Sequence, residues 1–310
     1  RGTPFLAVVW FGSPHEPYGG LPQDLALYDD LPTRYAAQVV SLTSNETGTQ
    51  IQRPLREVLR ERYAEITAMD RAIGTLREYL ERTGLRENTL LWYNSDNGTP
   101  PSGLADTPLR GLKGTLYDGG IRVPGVLEWP AHISTPRSTQ LPTVTSDILP
   151  TLAAVAGQAI PERPLDGINL MPLINGTMTA RPSPLFFWSF NSDSLNDRAR
   201  DPYINPDLQV GTTPLVKLMN GIPPRNFQNI HYRTIKTHDF LGSRVILDHH
   251  YKLVINGATD SDTELFHLGD DPAETHNLAA DEPAIVITLA KQLREWQSST
   301  LNSLTGADYR

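Results

Sequence analysis

The chain has 310 residues, a net charge of −8 and no cysteine. That length can bury a large core, in one big domain or two smaller ones. The acidic balance argues against a nucleic-acid surface, and the lack of thiols excludes disulfides and thiolate metal sites. No apolar run approaches the roughly 20 residues that span a bilayer. The 26 prolines fit long ordered loops around an α/β core.

Residues 5–11, FLAVVWF, form a continuous apolar run and predict a strand buried on both faces. A chain opening on a central strand is expected to be truncated, and no signal-peptide pattern is visible in its first residues. Gly12 to Tyr18 follow, placing His15 at the strand's C-terminal tip between prolines that stiffen the loop. An imidazole that titrates near neutrality suits proton exchange with a reacting oxygen, while a lone loop histidine also reads as structural. Residues 19–52 read as a long irregular connection, with Asn45-Glu46-Thr47 as a glycosylation acceptor pattern.

From Pro54 to Thr83 the apolar residues Leu55, Val58, Leu59, Ile66, Met69, Ile73, Leu76 and Leu80 recur mostly three and four apart. This spacing predicts an amphipathic helix with Pro54 near its first turn and Gly84 as its stop. The strand expected over Thr89–Asn94 would complete a helix-to-strand crossover, the unit that builds parallel sheet. It ends in Ser95-Asp96-Asn97-Gly98. Asp96 and Asn97 offer adjacent oxygen donors that suit a hard cation, Ca2+ or Mg2+, better than zinc. The same tetrapeptide also reads as an ordinary turn.

The segment 109–124, LRGLKGTLYDGGIRVP, then supplies a glycine-framed cation, Lys113, and Trp129-Pro130 follows. Together with SDNG, this resembles the C-terminal half of the type I sulfatase family, within the alkaline-phosphatase-like superfamily. The resemblance implies Asp96 and Asn97 as Ca2+ ligands and Lys113 as a contact to the sulfate group. It implies His15, in a segment of the PHxP type, as the residue beside the leaving oxygen, so that His15 and Lys113 are both catalytic and substrate-binding. The fold it implies is an α/β sandwich with a large, mostly parallel sheet flanked by helices. A smaller C-terminal subdomain, an antiparallel sheet packed on a helix, would follow, dividing the chain at 1–180 and 181–310.

Downstream, Pro142–Gly157 reads as a helix, and residues 164–176 as scaffold. Strand-like runs at Pro184–Phe190, Arg244–Leu247, Tyr251–Ile255 and Glu264–Leu268 lack intervening helices and predict an antiparallel sheet. A helix from about Pro283 to Trp296 would pack across it. Residues 251–254, YKLV, resemble the family's YKLI strand, and Glu264 to Ala279 resemble its ELYDLxxDPxExxNLA segment. Asn191 to Asp239 aligns with nothing in the family. Its basic and aromatic residues read either as a grip on a sulfated sugar, with His231 as the substrate contact, or as a solvated insertion.

The family's Cys/Ser-x-Pro/Ala-x-Arg motif, whose first residue becomes formylglycine, is absent. Ser134-Thr135-Pro136-Arg137 comes nearest, with its arginine one place early. That motif and the remaining Ca2+ aspartates are expected upstream of Arg1, so the chain would cover about 60–70% of a family member's length. Alone it is expected to be inactive. The parent protein is expected to hydrolyse a sulfate ester outside the cytoplasm (periplasmic, secreted or lysosomal), on a sulfated sugar, a polysaccharide fragment or an aryl sulfate. The alternatives are a phosphomonoester or phosphonate hydrolase of the same superfamily and a non-catalytic carbohydrate-binding protein.

Overall fold

Pro54 can close a strand and open a helix because its ring fixes φ and it has no N–H to leave unpaired. The computed structural model, which describes residues 3–44, 49–100, 107–190, 235–257 and 262–308, uses it in that way. The chain divides into two units, Arg1–Thr107 with Val123–Ser134, and Pro108–Arg122 with Thr135–Arg310.

In the first unit, α1 (Pro22–Ala26) precedes a hairpin of β1 (Val39–Thr43) and β2 (Gln50–Pro54), and Pro54 leads directly into α2 (Leu55–Arg82). Leu55, Val58 and Leu59, at helical spacing on α2, are fully buried. Val58 packs with Tyr18 and Leu42, and the two leucines pack with Tyr35. Arg71 of α2 donates to both carboxylate oxygens of the buried Asp24 in α1, at 2.8 and 2.7 Å. Gly84, at φ +70°, takes the left-handed conformation that ends the helix, and Leu85 N–H donates back to Leu80 C=O at 2.9 Å. The predicted helix therefore forms within a residue of its expected bounds.

Three local expectations are corrected in this unit. Residues 19–52 are not an irregular connection, since α1 and the β1–β2 hairpin lie within or across their end. β3 (Leu91–Asn94) pairs antiparallel with β4 (Gly125–Glu128) rather than entering a parallel crossover. Residues 5–11 form no strand and lie exposed, Trp10 at 91%. An apolar run becomes a strand only through ladder hydrogen bonds and a covered face, and among the described residues this run has no ladder partner.

In the second unit, α3 (Asp118–Ile121), α4 (Ile148–Val155) and α5 (Met171–Ile174) precede a four-stranded antiparallel sheet. Its order is β5 (Leu185–Trp188), β6 (Arg244–Asp248), β7 (Tyr251–Ile255), β8 (Thr263–His267). Side-chain alternation gives the sheet two faces. Ile246, Leu253 and Leu265 meet Leu289 and Leu293 of α6 (Pro283–Leu304) on one face. Val245, Val254 and Phe266 turn the other way and meet Leu116 and Tyr117. The chain is thus mixed α/β with the expected C-terminal sheet and helix, and every strand pairing among the described residues is antiparallel. No described helix is long and apolar enough to cross a membrane.

Candidate active site

The site residues expected from the sequence fall in both units, and each is placed here within its own. In the first unit, β3 delivers residues 95–98 into a bend. Asn97 Nδ2 donates to Gly98 C=O at 3.0 Å, and Ser95 Oγ donates to Asn97 C=O at 3.3 Å. One Asn97 amide N–H is therefore used within its own loop, and Oδ1 accepts no hydrogen bond among the described residues. Asp96 is exposed, and its carboxylate takes no hydrogen bond or ion pair among the described residues. Two adjacent open oxygens, one of them anionic, fit a hard cation. Such an ion takes six or more oxygens, and no group of three or more His, Asp or Glu that could hold a metal occurs among the described residues. Asp96 and Asn97 alone would supply only part of such a shell.

His15 lies on an exposed bend, with Nδ1 2.7 Å from Glu16 C=O. A carbonyl only accepts, so Nδ1 carries the proton in this contact, and Nε2 has no hydrogen bond among the described residues. The same loop is tied to α2: Gly19 N–H donates to Glu65 Oε1 at 2.8 Å. Burial pushes the Glu65 carboxyl above its ordinary range, against the lowering effects of the Gly19 N–H, the Ser13 hydroxyl and His15. Sequence reasoning passed over Glu65, whose only signal was an acidic residue within a packed helical segment.

A carboxyl whose folded pKa is raised loses stabilising effect as pH rises through that pKa. Glu65→Gln keeps the acceptor for Gly19 and removes the partly buried charge. The variant is expected to melt at a higher temperature than the parent at pH 7. The gap should close below the unfolded carboxyl range near pH 4, where both side chains are neutral. Thermal midpoints at the two pH values check this, and a variant less stable at pH 7 contradicts it.

In the second unit, Lys113 sits at the tip of a turn, exposed, with no hydrogen bond or ion pair among the described residues. The turn is closed by Thr115 N–H to Leu112 C=O at 2.9 Å and Gly119 N–H to Arg110 C=O at 2.7 Å. Gly114 has φ +93°, and a Cβ on Gly119 would lie 2.1 Å from the Gly111 carbonyl oxygen, so no side chain is tolerated there. His231 lies outside the described residues. Arg137, from the rejected Ser134–Arg137 near-match, donates to the carbonyls of Leu173 and Ile174 and so serves the scaffold.

The structure of Ps i-CgsB shares the fold with a TM-score of 0.62 at 20% identity, over 93% of this chain and 48% of that one. The fold is alkaline-phosphatase-like. The family model for Sulfatase matches residues 1–158, just over half of the chain, and the chain belongs to that family. Human arylsulfatase A (Homo sapiens) is 39% identical over 131 residues, 41% of this chain and 26% of its own length. The ulvan-active sulfatase of Formosa agariphila is 29% identical over 278 residues, 89% of this chain and 44% of its own length. The chain thus spans about half or less of the length of these relatives, below the share expected from the sequence.

Proposed function

We propose that the protein containing this chain hydrolyses a sulfate ester. The observation that carries the reading is the Sulfatase match over residues 1–158, an interval that contains His15, Asp96, Asn97 and Lys113. Asp96 and Asn97 would hold Ca2+, or Mg2+ in its place, through their open oxygens. When present, the ion supplies charge neutralisation of the sulfate oxygens, and a formylglycine contributed from upstream of these residues supplies the nucleophile at sulfur. Lys113 takes a further sulfate oxygen. With Nδ1–H committed to the Glu16 carbonyl, Nε2 of the protonated His15 ring is the atom left to give a proton to the departing alcohol oxygen. His231 belongs to the same reading as a contact to the substrate beyond the sulfate.

Residues 1–180 are then the C-terminal part of the catalytic domain and 181–310 its C-terminal subdomain. A sulfated sugar or polysaccharide fragment is the favoured substrate class, because the ulvan-active relative aligns through that subdomain as well. An aryl sulfate is the simpler substrate, and an extracytoplasmic location fits both.

Initial rates of the full-length protein on matched 4-nitrophenyl sulfate and phosphate, with Ca2+, test the reaction. A faster sulfate rate is expected, and a strong preference for phosphate overturns the reading. The metal assignment is read by calorimetry. Loss of a residue that merely orients a ligand costs about 10–100-fold in metal affinity, so Asp96→Ala, which removes a ligand itself, is expected to weaken Ca2+ binding by about tenfold or more. Unchanged Ca2+ affinity removes Asp96 from the site.

A further inference from the structure

The face of the C-terminal sheet turned away from α6 carries charges that nothing so far uses. Lys252 on β7 shares that face with Val254, and Glu264 on β8 shares it with Phe266, two residues apart in each strand. Lys252 and Glu274 have fully buried side chains, and that of Glu264 is 17% exposed. All three aim at the turn that carries Lys113.

They hold it at two points. At one, Arg110 donates to Glu264 Oε1 and to Glu274 C=O, each at 3.0 Å, and lies 3.9 Å from the centre of the Tyr117 ring. Tyr117 OH donates to Glu264 Oε2, and Asn256 Nδ2 donates to Tyr117 OH at 3.1 Å. At the other, Lys252 Nζ donates to Asp118 Oδ1 at 2.7 Å and forms an ion pair with Glu274 Oε1 at 2.7 Å, and Asp118 N–H donates to Glu274 Oε2 at 2.7 Å. Arg110 stands three residues before Lys113, and Tyr117 and Asp118 stand four and five after it. Among the described residues Lys113 itself has no partner, and it lies between two fixed ends.

A buried lysine between two carboxylates is an expensive way to close a core, since apolar side chains of similar volume usually do as well. What the charged arrangement adds is register: the donors of Arg110, Tyr117, Asp118 and Lys252 meet specific acceptors, and that set of pairings fixes where the turn lies. A long side chain on a fixed base loses less freedom on meeting an anion, and misplacing a reacting or binding group by 1 Å costs about 10²-fold.

We propose that Lys252, Glu264 and Glu274 are positioning residues that fix the Arg110–Asp118 turn so that Lys113 meets a sulfate-ester oxygen. The inference rests on the role given to Lys113 above. Glu264→Gln and Glu274→Gln preserve shape while removing one charge each, and Tyr117→Phe loosens the same turn without touching a carboxylate if either Gln variant fails to fold.

In the full-length protein, each variant is expected to lower kcat/KM on 4-nitrophenyl sulfate by about 10–100-fold. In a Lys113→Ala background the same changes should cost less than about twofold, because the group they position is gone. Equal losses in both backgrounds, or no loss in either, overturn the proposal. Hydrogen exchange supplies a readout that needs no activity. The Thr115 and Gly119 amides should exchange about tenfold faster in the variants while those of β7 are unchanged, and unaltered exchange overturns the clamp. A parent protein inert toward sulfate esters would refute the function alone, with the exchange result still deciding whether the sheet holds the turn.

Discussion

Replacing Arg181 with methionine is expected to cost about 3–5 kcal/mol, the usual loss when one partner of a buried ion pair is removed. Asp147 and Arg181 have side chains 0% and 6% exposed. The guanidinium donates to both carboxylate oxygens at 2.8 Å. The carboxylate also accepts the backbone N–H of Val144 at 2.9 Å and of Ile168 at 2.8 Å, so it joins the start of α4 to the segment before α5. Arg181 completes the junction by donating to Ser183 C=O at 3.0 Å. Methionine would fill much of the volume and leave a buried carboxylate whose charge is answered only by two peptide dipoles. Urea unfolding followed on the transition of this unit should show a lower midpoint with an unchanged slope. A loss below about 1 kcal/mol would mean that the carboxylate finds water easily, and that the pair fixes geometry rather than stability.

The second large effect is on catalysis. Lys113→Ala in the full-length protein is expected to lower kcat on an aryl sulfate by roughly 10²–10³, the range for losing one preorganised donor to developing charge. Lys113 is exposed and has no partner among the described residues, so its substitution removes no structural contact there. The thermal midpoint should stay within about a degree or two, as for surface changes of under 0.5 kcal/mol. Lys113→Arg keeps the charge but not the point geometry and should recover part of the rate. A fall in kcat under about fivefold would assign the sulfate contact to another group.

Local pattern was legible where one element determines itself. α2 was readable because Leu55, Val58 and Leu59 repeat at helical spacing and Gly84 stops the helix. The C-terminal strands were readable because each is short, apolar and bounded by turn residues. The run at 5–11 was misread because pairing, which no single segment encodes, decides whether apolar residues become a strand. The β1–β2 hairpin escaped notice because Ser41, Gln50, Gln52 and Arg53 dilute its alternation. The oxygen donors and Lys113 stood out as a local motif. Glu264, Lys252 and Glu274 read as scaffold signatures, because the groups they hold lie 134 to 164 positions away in sequence and only the folded sheet brings them together.

That separation has a temporal side. Asp118 leaves the ribosome 134 residues ahead of Lys252, which at about 5–20 residues per second is roughly 7–27 s of synthesis. The β6–β7–β8 meander closes through short connections and can form as soon as it emerges, whereas the turn must await a long loop closure onto a face that is already built. Until then the lysine turn is nascent chain without its anchors. Residues made 134 positions later therefore complete the turn that carries Lys113, and a ribosome stalled before residue 250 would display every motif of the turn without its shape.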